Sequence, residues 1–155
     1  MVGASRLIVC VGYCEHELLK PNLEVGPTGL AAQQRILSYV HANAPNAKTF
    51  TCSGAYSSWL HRPRNADQCP ESVEVIGSWL GDCVMHAAAM SLFKGINVLL
   101  DPRHVIALGE LDMSDDRKMG MALGVLERKF PSCRYTYRID HDALLLLPSE
   151  RGRSI

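Results

Sequence analysis

The chain has 155 residues, a formal net charge of zero and a hydrophobic fraction of 47%. This length suits a single domain, residues 1–155, with a sizeable core. Acidic and basic residues are interspersed, so we expect no contact with nucleic acid and none with an anionic membrane surface. No apolar run approaches the roughly 20 residues of a membrane-spanning helix.

The cysteines raise the questions of disulfides and of metal binding. The chain is large for a disulfide scaffold and shows no export signal, so we expect mostly buried, reduced thiols in a cytoplasmic protein. Cys10, Cys14 and His16 have roughly the spacing of zinc ligands, but no second pair of ligands has matching spacing. The sequence therefore predicts neither a metal site nor a cofactor.

The first half of the chain alternates strand and helix signals. Residues 7–11 form an apolar run that predicts a buried strand. Thr28 is a candidate N-cap for a helix that ends before residue 43. Residues 49–53 predict a second strand. Residues 56–70 predict an irregular loop or lid over the sheet edge, or a short helix over residues 57–61.

The middle of the chain begins with a strand signal. Val73, Val75 and Ile76 are β-branched residues in a short apolar run, which is typical of a buried strand. Gly77 marks the end of this strand. The next residues, 78–82, predict a short turn.

A helix and a further strand follow that turn. Residues 83–93 are rich in Ala, Met and Leu, which favour helix, and Gly95 stands where the helix would end. Residues 96–100 form another apolar run that closes at Asp101. Strand, helix and strand with short connections indicate a βαβ unit with parallel strands.

The last third predicts one helix and two strands. Ser114 is a candidate N-cap for a helix over residues 115–130. Residues 134–139 alternate as a half-exposed edge strand does, and residues 144–147 indicate a closing strand or a core plug. The whole pattern predicts an α/β fold, a three-layer α-β-α arrangement with a mainly parallel central sheet.

Cys83 is the candidate nucleophile of the predicted site. It lies at the start of a helix, just beyond the carboxyl end of a strand, where open α/β sheets bind ligands. Backbone N–H groups and the helix dipole favour the thiolate form of a cysteine in this position. The amides of Leu80, Gly81 and Asp82 in the same turn are candidates for binding an oxyanion.

The central segment resembles the nucleophile segment of the isochorismatase-like family of cysteine hydrolases. That segment combines a strand, a glycine, a turn carrying Cys-Val, an alanine-rich helix and a strand that ends in Asp. Here Gly77 stands six residues before Cys83, Val84 follows the cysteine, and Asp101 closes the second strand. The resemblance implies a Rossmann-like fold, hydrolysis of amides or similar C–N bonds, and homo-oligomers.

Several family positions carry other residues in this chain. The catalytic Asp of the family falls at Gly12, its Lys falls at Ser53, and the Thr of its turn is Leu80. Glu15 or His16 is a candidate substitute base, since both follow the same strand end.

Further residues are candidates for the pocket or for its base. His86 lies one helical turn beyond Cys83 and is either a contact of the thiol or a packed helix histidine. Asp82 is either a cap or a catalyst. The pocket set is completed by Tyr13, Tyr56, Trp59 and Trp79, and for the two tryptophans a core or subunit-interface role is the favoured alternative.

These observations lead to one expected function and two alternatives. The first is a divergent isochorismatase-like hydrolase of a small amide or related carbonyl compound, with Cys83 as nucleophile. The second is an inactive relative that binds a small molecule or a protein partner. The third is a structural or assembly role through an apolar edge, such as the segment around Trp59 or the tyrosine-rich strand.

Overall fold

The computed structural model describes residues 6–12, 26–62, 69–107 and 113–149, with the backbone alone for residues 26–30. Within these ranges the chain forms four α-helices and seven strands. The helices are α1 Gly26–Ala42, α2 Ser53–Leu60, α3 Met85–Phe93 and α4 Asp115–Lys129. The strands are β1 Arg6–Val11, β2 Ala47–Phe50, β3 Ser72–Ser78, β4 Asn97–Leu100, β5 Val105–Ile106, β6 Tyr135–Asp140 and β7 Ala143–Pro148.

The strands form a mixed sheet in the order β2-β1-β3-β4-β7-β6, with β5 paired to β3. Strands β1 to β5 pair in parallel, as expected for βαβ connections. Strand β7 runs antiparallel to both β4 and β6. The α/β class is confirmed, whereas the sheet is mixed because β6 and β7 form a hairpin.

Side chains alternate between two cores on opposite faces of the sheet. In β1, Val9 and Val11 join the larger core with residues of α2, α3 and α4. Ile8 and Cys10 point the other way and pack with Ile36 of α1. This continuous apolar run is buried on both faces, which explains the lack of polar alternation in its sequence.

The predicted βαβ unit is present. Strand β3 leads into a turn, then helix α3, then β4, which pairs in parallel with β3. Gly95 has a φ of 79°, and its N–H donates to the carbonyl of Leu92 at 2.9 Å. The N–H of Ile96 donates to Ser91 at 3.0 Å, so the helix ends in the expected glycine cap.

The segment between β2 and β3 differs from its prediction. Strand β2 ends at Phe50, earlier than predicted, because helix α2 begins at Ser53. Tyr56 and Leu60 lie four residues apart and are both buried, so packing of one face stabilises a helix that the composition does not favour. Of the residues predicted as a loop, those at 63–68 lie outside the described ranges.

Helix α4 begins as predicted, since the Ser114 hydroxyl accepts a hydrogen bond from the N–H of Arg117 at 3.2 Å. Helix α1 begins at Gly26, so Thr28 lies inside it and is not its cap. None of the described helices combines the length and the apolar character needed to cross a membrane.

Candidate functional site

The carboxyl ends of β1, β2 and β3 meet at one edge of the sheet, because these strands are parallel neighbours. Gly12 follows β1, Ser53 lies shortly after β2, and the turn with Cys83 follows β3. The parallel arrangement therefore places Gly12, Ser53 and the Cys83 turn at one edge. Tyr13, Glu15 and His16 lie outside the described residues.

Two glycines allow β1 and β3 to approach closely at this edge. Gly12 and Gly77 have φ values of 92° and 112°. A Cβ at Gly12 would overlap the carbonyl oxygen of Ser78, and one at Gly77 would overlap the carbonyl oxygen of Val11. With this backbone, no carboxylate can replace Gly12, the position at which the resembling family carries its catalytic Asp.

The Ser78 hydroxyl lies beside this glycine contact. Ser78 is buried, and its Oγ has no hydrogen-bond partner among the described residues. A buried hydroxyl without a partner costs free energy.

Cys83 lies in a π-helical turn, Leu80–Val84, that leads directly into α3. The thiol is half-buried against the larger core. The carbonyl of Trp79 accepts hydrogen bonds from the N–H groups of Asp82 at 3.0 Å and Val84 at 3.1 Å. The Asp82 amide, predicted as part of an oxyanion site, is thus engaged in this conformation.

The other members of the predicted turn site have distinct environments. Leu80 is fully buried, Gly81 is half-buried and the Asp82 side chain is exposed. Lys129 of α4 donates from Nζ to the Gly81 carbonyl at 3.0 Å. The last residue of α4 therefore stabilises the turn through a hydrogen bond at the protein surface.

Ser53 and His86 form a hydrogen-bonded pair, and His86 follows Cys83 by three residues. Ser53 Oγ and His86 Nδ1 share a hydrogen bond of 2.7 Å, and Ser53 is buried. The imidazole stacks on Phe130 with a centroid separation of 5.9 Å and an interplanar angle of 18°. Three helices thus orient a histidine that follows Cys83 by one turn.

The predicted aromatic pocket residues lie in packed clusters. Tyr56 is fully buried and shares a 2.7 Å hydrogen bond with Ser91. Since Ser91 donates to the Ala87 carbonyl, the phenol of Tyr56 is the donor to Ser91. Trp59 lies 5.9 Å from Tyr56, centroid to centroid, and Trp79 packs with the core on the α1 face.

The five described cysteines are free thiols with very different environments. Burial raises the pKa of Cys10 to about 12 and that of Cys133 to about 11. Cys52 is exposed before α2, and the backbone N–H of Ala55 is the main cause that lowers its pKa. The expectation of mostly buried thiols is wrong for this set, because only Cys10 and Cys133 are buried.

A charged network that the sequence analysis missed surrounds Glu74 in β3. Glu74 is 1% exposed, and its Oε1 accepts hydrogen bonds from Arg6 at 2.8 Å and from the Tyr39 hydroxyl at 2.7 Å. Burial opposes ionisation, but the nearby His104 imidazole and the hydrogen bonds from Tyr39 and Arg6 outweigh it and hold the pKa of Glu74 below its usual range. The signal in the sequence is a single acid inside an apolar strand.

Comparison with known proteins gave no match: no family model, no curated protein and no solved structure is significantly similar to this chain. The protein is an α/β domain with a mixed sheet. Near the carboxyl ends of its parallel strands lie the half-buried Cys83 and the hydrogen-bonded pair of Ser53 and His86.

Proposed function

We propose that this protein is a cysteine-dependent hydrolase of a small amide or related carbonyl compound, with Cys83 as its nucleophile. The observation that carries this proposal is the 2.7 Å hydrogen bond between Ser53 and His86, one helical turn from the cysteine. A cysteine nucleophile needs a neighbouring base, and an imidazole held in place is the commonest one in enzymes.

The proposed reaction has two steps. His86 accepts the thiol proton, and Cys83 Sγ attacks the carbonyl carbon of the substrate. The C–N bond breaks, the amine leaves with a proton from His86, and a thioester remains. Water then cleaves the thioester, which releases the acid and restores the thiol.

Ser53 acts in this scheme as a positioning residue. In this scheme Ser53 Oγ accepts the hydrogen bond from Nδ1–H of His86, so the lone pair of Nε2 is left to take the thiol proton. Phe130 supports one face of the ring. The oxyanion of the tetrahedral intermediate would be bound by turn amides other than that of Asp82.

The finer assignment to an isochorismatase-like, Rossmann-type fold belongs to the same proposal. It is supported by parallel β1, β3 and β4, by helices on both faces of the sheet, and by Gly77, Cys83 and Gly95 at the expected spacing. The homo-oligomer and the cytoplasmic location stay predictions from the sequence.

The alternative is an inactive relative that binds a small molecule or a protein partner. The geometry at Gly12 favours it, since the acid of the resembling family cannot be accommodated there. Ser53 likewise offers no positive charge in place of a lysine. The two functions differ in whether Cys83 forms a covalent intermediate.

The test is incubation with a panel of small amides and thioesters, followed by intact-mass detection of an acyl group on Cys83. We expect an acyl-enzyme in the natural chain and none in Cys83→Ser. His86→Phe keeps a ring to stack on Phe130 and should slow acylation by about 100-fold or more. The control is His61→Phe, an exposed histidine of the α2 end, which should react normally. If His86→Phe were acylated as fast as the natural chain, the assignment of His86 as the base would be contradicted.

A further inference from the structure

A second group of titratable side chains lies away from Cys83, where β3 and the end of β4 meet a short 3₁₀ helix, Pro102–His104. It consists of Glu74, Asp101 and His104. Each offers one ligand atom, and these atoms lie within 4.8 Å of one another. His104 Nδ1 lies 3.6 Å from Glu74 Oε2 and 3.8 Å from Asp101 Oδ2.

The ring nitrogen of His104 is the unexplained member of this group. Nδ1 is buried and has no hydrogen-bond partner in the described part of the chain, since both carboxylate oxygens are too distant. The imidazole is fixed by stacking on Tyr39, with centroids 4.0 Å apart and planes at 17°. A buried nitrogen that faces two carboxylate oxygens across gaps slightly longer than a hydrogen bond leaves space for a cation to link the three groups in place of direct ion pairs.

The carboxylates are oriented from outside the group. Glu74 Oε1 accepts from Arg6 and Tyr39, while Oε2 faces His104. Asp101 Oδ1 accepts from the backbone N–H of Arg103 at 3.0 Å and from its Nε at 2.9 Å. Such outer contacts are the ones that orient metal ligands in proteins.

We propose that Glu74, Asp101 and His104 bind a divalent transition-metal ion such as Zn²⁺. Two ligands of a tetrahedral zinc ion lie about 3.4 Å apart, given metal–ligand distances of about 2.1 Å. The two separations from His104, 3.6 and 3.8 Å, need only a small contraction. The carboxylate oxygens lie within 4.8 Å, so they approach each other by at most about 1.4 Å when the ion binds. Three protein ligands leave one position for water or for a bound molecule.

Access to the ion is provided by an adjacent groove of about 550 Å³. Asp101 lines this groove, together with Arg6 and Arg103. The floor consists of side chains from β4 and β7, Leu99, Leu145 and Leu147. An ion at Asp101 could therefore exchange with solvent without unfolding of the sheet.

Arg103 is the competing cation. Its Nη2 donates to Asp101 Oδ2 at 2.8 Å, and its side chain is 57% exposed. The exposed guanidinium can move into solvent when the metal takes this oxygen. Removal of the guanidinium should therefore strengthen metal binding, whereas a purely structural ion network predicts no such gain.

The experiment uses Co²⁺ as the probe and follows its visible absorption during titration. The protein is a variant that keeps only the buried Cys10 and Cys133, with Cys14→Ser, Cys52→Ser, Cys69→Ser and Cys83→Ser, because thiolates also bind this ion. We expect one Co²⁺ per chain without a thiolate charge-transfer band, and release of Co²⁺ by added Zn²⁺. Glu74→Gln and His104→Phe should each weaken binding by about 100-fold or more. Arg103→Gln should tighten it.

The control is His61→Asn, which removes an exposed histidine outside the groove and should not change the affinity. If a ligand variant does not fold, the natural chain serves, because bound Co²⁺ should shift the proton resonances of His104 far more than those of His61. No Co²⁺ binding, equal binding in His104→Phe, or equal shifts of the two histidines would overturn the proposal. None of these three outcomes depends on the activity of Cys83.

Discussion

At the scale of single residues, the hydrogen bond from the Tyr39 hydroxyl to the Glu74 carboxylate contributes to the stability of the fold. Replacement of Tyr39 by Phe removes the hydroxyl that donates to Glu74 but keeps the ring that stacks on His104. Because the lost hydrogen bond has a charged acceptor, we expect the free energy of unfolding to fall by about 2 kcal/mol. Tyr137→Phe, at an exposed position of β6, should change it by less than about 0.5 kcal/mol. Denaturant unfolding measures both, and equal effects would contradict the account.

The same network makes stability depend on pH. The donors around Glu74 and the hydrogen bonds from Arg103 to Asp101 outweigh burial and lower both carboxyl pKa values in the folded state. Their stabilisation is fully present above the unfolded pKa values of about 4 and is lost as pH falls through the folded values.

Glu74→Gln tests this dependence, because its amide cannot take up the proton. The stability gap between the natural chain and Glu74→Gln should therefore narrow as pH falls from about 6 to about 3. Glu127→Gln, an exposed change on α4, is the control for the loss of one carboxylate. A gap for Glu74→Gln that stays constant over this range would show that the carboxyl is not stabilised as described.

At the scale of elements, the start of α2 favours the thiolate of Cys52. The N–H groups of Ala55 and Gly54 lower its pKa, whereas burial raises those of Cys10 and Cys133. We expect iodoacetamide at pH 7 to label Cys52 faster than the two buried thiols by on the order of 100-fold. Peptide mapping by mass spectrometry gives the three rates. The difference should vanish in guanidinium chloride, and a buried thiol that reacts first would contradict the structure.

The junction of β1 and β3 depends on Gly77. Gly77→Ala would place a Cβ on the Val11 carbonyl at a positive φ, so we expect a loss of more than about 2 kcal/mol in stability. Gly120→Ala is the matched change, because this helical glycine in α4 has open space around it. It should stabilise the protein by about 0.5 to 1 kcal/mol. Thermal melting measures both variants. A melting temperature of Gly77→Ala equal to or above that of Gly120→Ala would contradict the conformations described for these two glycines.

Elements with strong local signals could be predicted from the sequence. The apolar run of β1, the cap of α4 at Ser114 and the glycine end of α3 are determined within a few residues, and all are present. Helix α2 could not be predicted in full, because its stability depends on packing of Tyr56 and Leu60 against distant residues.

At the scale of the whole molecule, the direction of the last strands was missed. His141 and Asp142 form the turn between β6 and β7 with φ values of 52° and 62°, a conformation for which Asn-Gly is the usual signal. Without glycine, this turn leaves no clear hairpin signal in the sequence. The alternation of elements then predicts parallel pairing for the last strands as well, whereas β7 is antiparallel to both β4 and β6.

The candidate site could be predicted only in part, because most of its contacts join residues that are far apart in the sequence. The position of Cys83 follows from a local strand–turn–helix pattern. The contact between Ser53 and His86 joins residues 33 positions apart, and the group around Glu74 joins three elements. Such long-range juxtapositions follow from the sheet order and not from spacing along the chain.

The central claim is that Cys83 is a reactive thiol activated by His86. The most direct test is the rate of its alkylation by iodoacetamide in folded protein that retains Cys83 as its sole cysteine, with and without His86→Phe. We predict labelling of the folded chain, a rate at pH 7 that falls at least about tenfold in His86→Phe, and an altered pH profile of that rate. Labelling only after unfolding, or equal rates and profiles in both proteins, would contradict the claim and leave Cys83 as a packing residue.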